Sequence, residues 1–333
     1  MKNKYTLSII IPIYNVEKYI IRCAESILTQ INSKVEVLFI DDGSKDNSAI
    51  LLQSYMNNDN VKLITKENGG VSSARNLGIQ YSRGDFILFV DGDDFVSDNY
   101  VNTILISLCG FKGELICFDY FITDDNTSKK TKLFKNEIIN VPDHAGFRWY
   151  LNKDNDEKIK QFCLNKVYLS SIIKENNIKF PEGQTVGEDF IFNLEYLEHV
   201  KMIKIIDSCL YHYYQRSSSV MRTYNKRYTN DIISYKERLE IISYKTKYSI
   251  SKSELSRLYL KCWFGVINQE SHNPDFNDAK KKIIRFCSSD ALKKMKFYHD
   301  TKLNYKYKLY KLIINLRLSY LIFLVLYKVN NRK

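Results

Sequence analysis

No cysteine in this chain has a partner at C-x-x-C spacing. The seven (Cys23, Cys109, Cys117, Cys163, Cys209, Cys262, Cys287) are scattered, and several lie inside apolar stretches as reduced core cysteines do, so a reducing compartment is expected. Neither G-x-x-x-x-G-K-S/T nor G-x-G-x-x-G occurs, which removes the commonest phosphate cradles. The terminal apolar run, residues 318–327, is ten residues long behind Asn315 and Arg317, short of the ~20 a spanning helix needs. The start is basic (Met1-Lys2-Asn3-Lys4), but the apolar run after it is short, contains Pro12 and reaches no small-residue cleavage site, so no secretion signal is expected. No repeat period or low-complexity tract is present.

What is there suffices for a sizeable core, with 44% of 333 residues hydrophobic, and suits one large domain with an appendage. Charge divides the chain. Residues 221–333 hold 25 Lys and Arg against 9 Asp and Glu, whereas residues 1–220 hold 25 against 29. The surplus behind the formal +12 belongs to the C-terminal region, where it fits nucleic acid, anionic lipid or a solvated helical surface.

Up to about residue 120, apolar strands (7–13, 35–41, 61–65, 86–91, 114–121) alternate with amphipathic helices (17–31, 46–56, 71–81, 100–108). Such a βα series predicts right-handed crossovers and a mostly parallel sheet flanked by helices. Residues 122–160 read as an irregular connection. Residues 161–220 are mixed, with a helix over 188–200 and a tyrosine-rich strand at 210–214, and everything after 224 reads as helical. The expected organisation is an α/β domain over 1–220 and a basic helical region over 221–333.

Two of the apolar runs end in aspartates: Val35-Glu36-Val37-Leu38-Phe39-Ile40 into Asp41-Asp42-Gly43, and Phe86-Ile87-Leu88-Phe89-Val90 into Asp91-Gly92-Asp93-Asp94. Parallel strands bind ligands at their carboxyl ends, and carboxylates gathered there repel one another unless a cation or a donor-rich ligand intervenes. A metal-assisted phosphate or nucleotide site is therefore expected, with Mg²⁺ or Mn²⁺ suited to the oxygen ligands. An EF-hand loop would need an acid or Asn where Phe95 stands, a haloacid-dehalogenase phosphatase a small residue after its D-x-D, and a receiver domain an aspartate on the 61–65 strand; none fits well. Gly69-Gly70 opens a helix whose free N–H groups suit an anion, with Arg75 one turn inside.

Taken in order, Pro12-Ile13-Tyr14-Asn15, Asp41-Asp42-Gly43-Ser44, Gly69-Gly70 with Ala74-Arg75-Asn76, Asp91-Gly92-Asp93-Asp94 and Gly187-Glu188-Asp189 together resemble glycosyltransferase family 2 over roughly residues 5–220. The resemblance implies a GT-A fold, a Rossmann-like nucleotide-sugar sheet joined to an acceptor-binding half. It places Pro12, Tyr14, Asn15 and Asp41 around the base and ribose, Arg75 on the base or pyrophosphate, Asp91 on the ribose and Asp93 on the metal. Gly92, where serine is frequent in that family, is expected only to loosen the loop. Asp189 matches the general base that deprotonates the acceptor hydroxyl, and Glu188 its support or a contact to the acceptor. In the stretch 211–219, where related enzymes place a closing loop, Arg216 is a candidate pyrophosphate clamp and His212 a candidate metal or phosphate contact.

The expected activity is therefore inverting transfer of a sugar from a nucleotide diphosphate, UDP in the first instance, to a hydroxyl on a glycan or lipid-linked glycan, as in capsule, exopolysaccharide or lipopolysaccharide assembly. The tail interleaves tyrosine and lysine over 305–311 before its apolar run, a composition that suits a helix in a lipid headgroup layer as well as one docked on protein. A cytoplasmic protein, peripheral on the inner membrane face, is expected, with no nucleic-acid partner and with homodimerisation through the helical region. The rival readings are a D-x-D phosphatase or other phosphoryl-transfer enzyme, and a non-catalytic basic protein binding membrane or nucleic acid.

Overall fold

The computed structural model describes residues 4–131, 136–140, 162–215, 224–245, 252–288, 305–315 and 318–331. They form two compact units: Met1–Gly183 with Glu188–Arg216, and Gln184–Gly187 with Ser217–Lys333.

In the first unit, β1 (Tyr5–Ile13), β2 (Val35–Asp41), β3 (Val61–Thr65) and β4 (Gly84–Phe89) lie parallel in the order β3-β2-β1-β4. The connections carry helices α1 (Ile20–Leu28), α2 (Ser48–Leu51) and α3 (Val71–Tyr81). Every residue of β2 is buried, as in a strand covered on both faces. Helix α1 buries Ile20, Cys23, Ala24 and Ile27, the single stripe that 3.6-residue periodicity produces. The expected helix over 46–56 shrinks to α2 and a 3₁₀ turn at Gln53–Tyr55, since its polar sequence offers little beyond Ser48 and Leu52 to the interior.

The chain continues through β5 (Phe95–Val96), α4 (Tyr100–Leu108), β6 (Leu115–Thr123), β7 (Ser128–Lys130), β8 (Glu137–Asn140), β9 (Lys166–Leu169), α5 (Ser170–Glu175), α6 (Glu188–Leu197) and β10 (Met202–Tyr214). The sheet extends as β4-β9-β6-β10-β5. Here it is mixed: β9 is antiparallel to both β4 and β6, while β6 and β10 are parallel. The connection expected to be irregular thus contains β7 and β8, though residues 141–161 lie outside the described part. The tyrosine-rich strand is the last part of a thirteen-residue β10.

Register sets the position of the site. Ile13 pairs with Asp41, and Ile10 pairs with Phe89 two residues before Asp91, so both aspartate clusters emerge beside the carboxyl end of β1.

The second unit contains α7 (Tyr228–Lys245), α8 (Lys252–Ser271), α9 (Phe276–Ser288), α10 (Tyr305–Asn315) and α11 (Ser319–Asn330). Its core centres on Trp263, fully buried, whose indole N–H donates to Ser319 Oγ at 3.0 Å. Buried Glu270 accepts from Thr229 Oγ1 (2.6 Å), Tyr224 OH (3.2 Å) and Asn273 Nδ2 (3.1 Å), which satisfies a charge that would otherwise be costly to bury. Among the described residues no single helix is long and apolar enough to cross a membrane.

Candidate active site

The two neighbouring aspartates after β2 have different roles. Asp42 turns inward and accepts from the Gly69 N–H (2.9 Å), the Gly70 N–H (2.7 Å), Asn68 Nδ2 (3.1 Å) and Lys66 Nζ (2.7 Å). It thereby fixes the turn into α3, where Gly70 has φ +87°, a conformation that costs glycine little. Asp41 accepts from the Ser44 N–H at 3.0 Å, and Ser44 Oγ accepts from the Asn15 N–H at 3.1 Å. Asn15 (φ +52°) receives the Lys45 N–H on its side-chain oxygen at 2.8 Å. The structure therefore brings Asp41 and Asn15 together at one strand edge, beside Pro12 and the exposed ring of Tyr14.

From α3, Arg75 projects inward and is buried. Its Nη1 donates to Asp189 Oδ1 at 2.6 Å and its Nη2 to Asp91 Oδ1 at 2.9 Å, with Glu188 at 3.7 Å. The guanidinium also lies over the Phe180 ring, and its Nε has no hydrogen-bond partner among the described residues. The sequence reading put Arg75 on the base or pyrophosphate. Among the protein's own groups it joins the aspartate turn after β4 to the acid pair at the head of α6, nearly a hundred residues further along the chain, its planar fork meeting a carboxylate on each side.

Asp91, Asp93 and Asp94 converge so that one oxygen from each lies within 4.8 Å of the others. They are not equivalent. Asp94 is buried, receiving Tyr211 OH on one oxygen and the Tyr214 N–H (2.7 Å) on the other; burial, then Asp93 and Asp91, push its carboxyl well above the usual range. Asp91 is also raised by burial, an effect that Arg75 opposes. An all-oxygen donor set whose members repel one another suits a hard divalent cation, and Asp93 is the residue that would hold it. Gly92 does more than loosen the loop: a Cβ there would stand 2.8 Å from Ile13 Cγ2 and 3.2 Å from the Pro12 carbonyl oxygen, so glycine lets the turn close on β1.

Asp189 accepts a second bond, from the Cys163 N–H to Oδ2 at 3.1 Å. That amide is positioned by buried Lys166, whose Nζ donates to the Phe162 carbonyl (2.5 Å) and to Asn165 Oδ1 (2.9 Å), while Asn165 Nδ2 donates to the Phe118 carbonyl (2.9 Å). Burial lowers the Lys166 amine. Each carboxylate oxygen of Asp189 has one donor from these bonds, and the buried Cys163 thiol also hydrogen-bonds this carboxylate. Glu188 is pushed up to about 7, first by burial and then by Asp189, with Arg75 opposing.

His212 is not placed among these acids. Its ring is stacked between Phe95 and Phe121, both at 4.3 Å, and its nitrogens contact Ser97 Oγ (3.1 Å) and Thr123 Oγ1 (3.2 Å). With both nitrogens engaged, the expectation of a metal or phosphate contact is corrected to a strand-pairing role within β10 and β5. Arg216 lies outside the described residues. Sequence reasoning missed Tyr211, Tyr214, Asp42 and the Cys163 amide. Only the tyrosine-rich run and the doubled aspartate hinted at them, and neither says which side chain faces which.

The profile of Glycosyl transferase family 2 matches residues 8–166. "Putative glycosyltransferase EpsH" of Bacillus subtilis is 30% identical over 224 residues, covering 66% of this chain and 64% of that protein. "Glycosyltransferase GlyG" of Streptococcus pneumoniae is 30% identical over 232 residues, covering 68% of this chain and 77% of that protein. The chain thus spans a little under two thirds of the first of these relatives and somewhat more of the second. Among solved structures, residues 1–349 of Staphylococcus aureus TarS in complex with UDP-GlcNAc superpose with a TM-score of 0.67 over 97% of this chain and 89% of that one, at 19% identity, which is a likeness of fold. With the ordered motifs, the strand-edge aspartates and these relatives all in agreement, the chain belongs to glycosyltransferase family 2 and is a glycosyltransferase.

Proposed function

We propose that the protein transfers a sugar from a nucleotide diphosphate donor, UDP-linked in the first instance, to an acceptor hydroxyl with inversion at the anomeric carbon. The observation that carries this reading is the Arg75 fork, which holds the Asp91 turn and the Glu188-Asp189 pair on opposite sides of one guanidinium. In this reading the strand end binds the donor and the neighbouring acid pair supplies the base for the acceptor. Support for the donor comes from the family, and from the fold likeness to TarS, solved with UDP-GlcNAc.

In this reading Asp41, Asn15, Pro12 and Tyr14 line the nucleoside end, and Asp91 meets the ribose. The acceptor oxygen attacks the anomeric carbon as the bond to the diphosphate breaks and its electron pair leaves with phosphate. Asp189 takes the hydroxyl proton on the acceptor capacity that Arg75 and Cys163 leave open, a transfer typically worth ~10²–10⁴-fold. A divalent cation on Asp93, Mn²⁺ or Mg²⁺, supplies neutralisation of the departing diphosphate when bound.

The acceptor is proposed to be a glycan under assembly at a membrane face, in surface polysaccharide synthesis. EpsH and GlyG are named only as glycosyltransferases, but TarS is named a poly(ribitol-phosphate) β-N-acetylglucosaminyltransferase, so the fold serves surface-polymer chemistry elsewhere. Residues 305–333 contain seven Lys and Arg and no Asp or Glu. Within the helical unit, α11 buries Ser319 and Phe323 and leaves Leu321, Val325 and Val329 exposed. That combination suits the headgroup layer of an anionic bilayer.

The test is hydrolysis and transfer assayed over a panel of nucleotide sugars, with Mn²⁺ and with excess chelator. Turnover of a UDP-sugar that chelator abolishes and Asp93→Ala removes is the expected result. Undiminished turnover in chelator, or full activity in Asp189→Asn, would overturn the reading.

A further inference from the structure

Arg22 has no part in the motifs above, yet it sits against the aspartate turn. Carried on the first turn of α1, it donates from Nη2 to the backbone carbonyl of Asp93 at 3.1 Å. Its guanidinium carbon lies 4.5 Å from the centroid of Phe95, 4.1 Å from that of Tyr214 and 5.8 Å from that of Tyr19. Its Nε is buried and has no hydrogen-bond partner among the described residues. Tyr214 is also the residue whose backbone N–H holds Asp94, and Phe95 is the residue stacked on His212, which in turn stacks on Phe121. One guanidinium therefore meets the carbonyl of Asp93, the ring that follows Asp94, and the strand that anchors Asp94.

We propose that Arg22 is a positioning residue for the cation site: its planar fork and the aromatic rings around it hold the Asp93 turn in the conformation that presents the Asp93 carboxylate. This rests on the reading of Asp93 as the residue that holds the cation beside the diphosphate. Only arginine does both jobs at once, since its edge donates in the plane while its faces stack. A lysine keeps the charge but cannot donate to the carbonyl and lie flat between rings. Partners of this kind, one shell out from a metal ligand, typically change metal affinity by ~10–100-fold when removed.

The experiment measures Mn²⁺ affinity directly, by electron paramagnetic resonance of free Mn²⁺ in the presence of UDP, for the full chain and for Arg22→Lys and Arg22→Met. Thermal unfolding is recorded alongside. Arg83→Met is the structural control, because Arg83 also combines an acid partner, Glu36, with an aromatic ring, Tyr5, but lies away from the turn. Both Arg22 variants are expected to weaken Mn²⁺ binding roughly tenfold or more, while UDP affinity in chelator stays within about twofold and Arg83→Met leaves Mn²⁺ affinity unchanged. Arg22→Lys carries the test if Arg22→Met does not fold. Normal Mn²⁺ binding by the wild type together with unchanged binding by the Arg22 variants would overturn this proposal alone. No Mn²⁺ binding by the wild type would overturn the metal site and this proposal with it.

Discussion

Arg75 and Glu188 show how a single side chain changes meaning once its neighbours are known. From the sequence, Arg75 is a cation one turn inside a helix; in the fold it is the shared counter-ion of Asp91 and Asp189. Arg75→Met leaves buried carboxylates without their partner, a change that typically costs about 3–5 kcal/mol. Urea unfolding is expected to show a loss of that order, with transfer activity abolished, and Arg75→Lys is expected to recover stability in part but little activity, having no fork to span two acids. Glu188 predicts a pH dependence. Its carboxyl is held up to about 7 in the folded chain, against an ordinary value near 4.5 when unfolded. The folded state keeps its proton over that interval, so this residue's contribution is full below about 4.5 and is lost as pH rises toward 7, on the order of 3 kcal/mol in all. Stability measured across that window is expected to decline less steeply in Glu188→Gln than in the wild type.

Among the elements, periodicity located the strands and helices of the parallel half well. Helix α4 spans Tyr100–Leu108, as its apolar spacing predicts, and β2 ends where Asp41 stands. What the pattern could not show is β9, four residues inserted antiparallel between β4 and β6, because a run that short has no readable period and its partners are fixed only by packing. The same limit applies to β10. Its tyrosines and His212 were visible, but the strand's pairing with β5 decides that His212 faces Phe95 and Ser97 rather than the acids. His212→Phe, which preserves the stack, is therefore expected to keep Mn²⁺ affinity within about twofold of the wild type and to lose stability by about 2 kcal/mol, about 1 for each of the two missing hydrogen bonds. A loss of Mn²⁺ binding comparable to that of Asp93→Ala would restore His212 as a ligand.

For the whole molecule, the uneven charge makes a prediction of its own. If the basic stretch over 305–333 and the exposed Leu321, Val325 and Val329 engage lipid, the full chain is expected to float with anionic vesicles and not with zwitterionic ones. Binding is expected to weaken steeply between 50 and ~500 mM salt as the Debye length shortens, and Val325→Asp to reduce it further. Flotation indifferent to both salt and Val325→Asp would remove the membrane face. The sequence by itself determined the βα alternation, the family, and the positions of the strand-end acids, because each depends on residue type and spacing within one or two elements. Tertiary structure alone decided which acids share Arg75, which are tied up by Tyr211 and Tyr214, and where Arg22 lies. Those choices depend on side chains brought together from distant parts of the chain, and hydrophobic spacing carries no record of which polar group meets which.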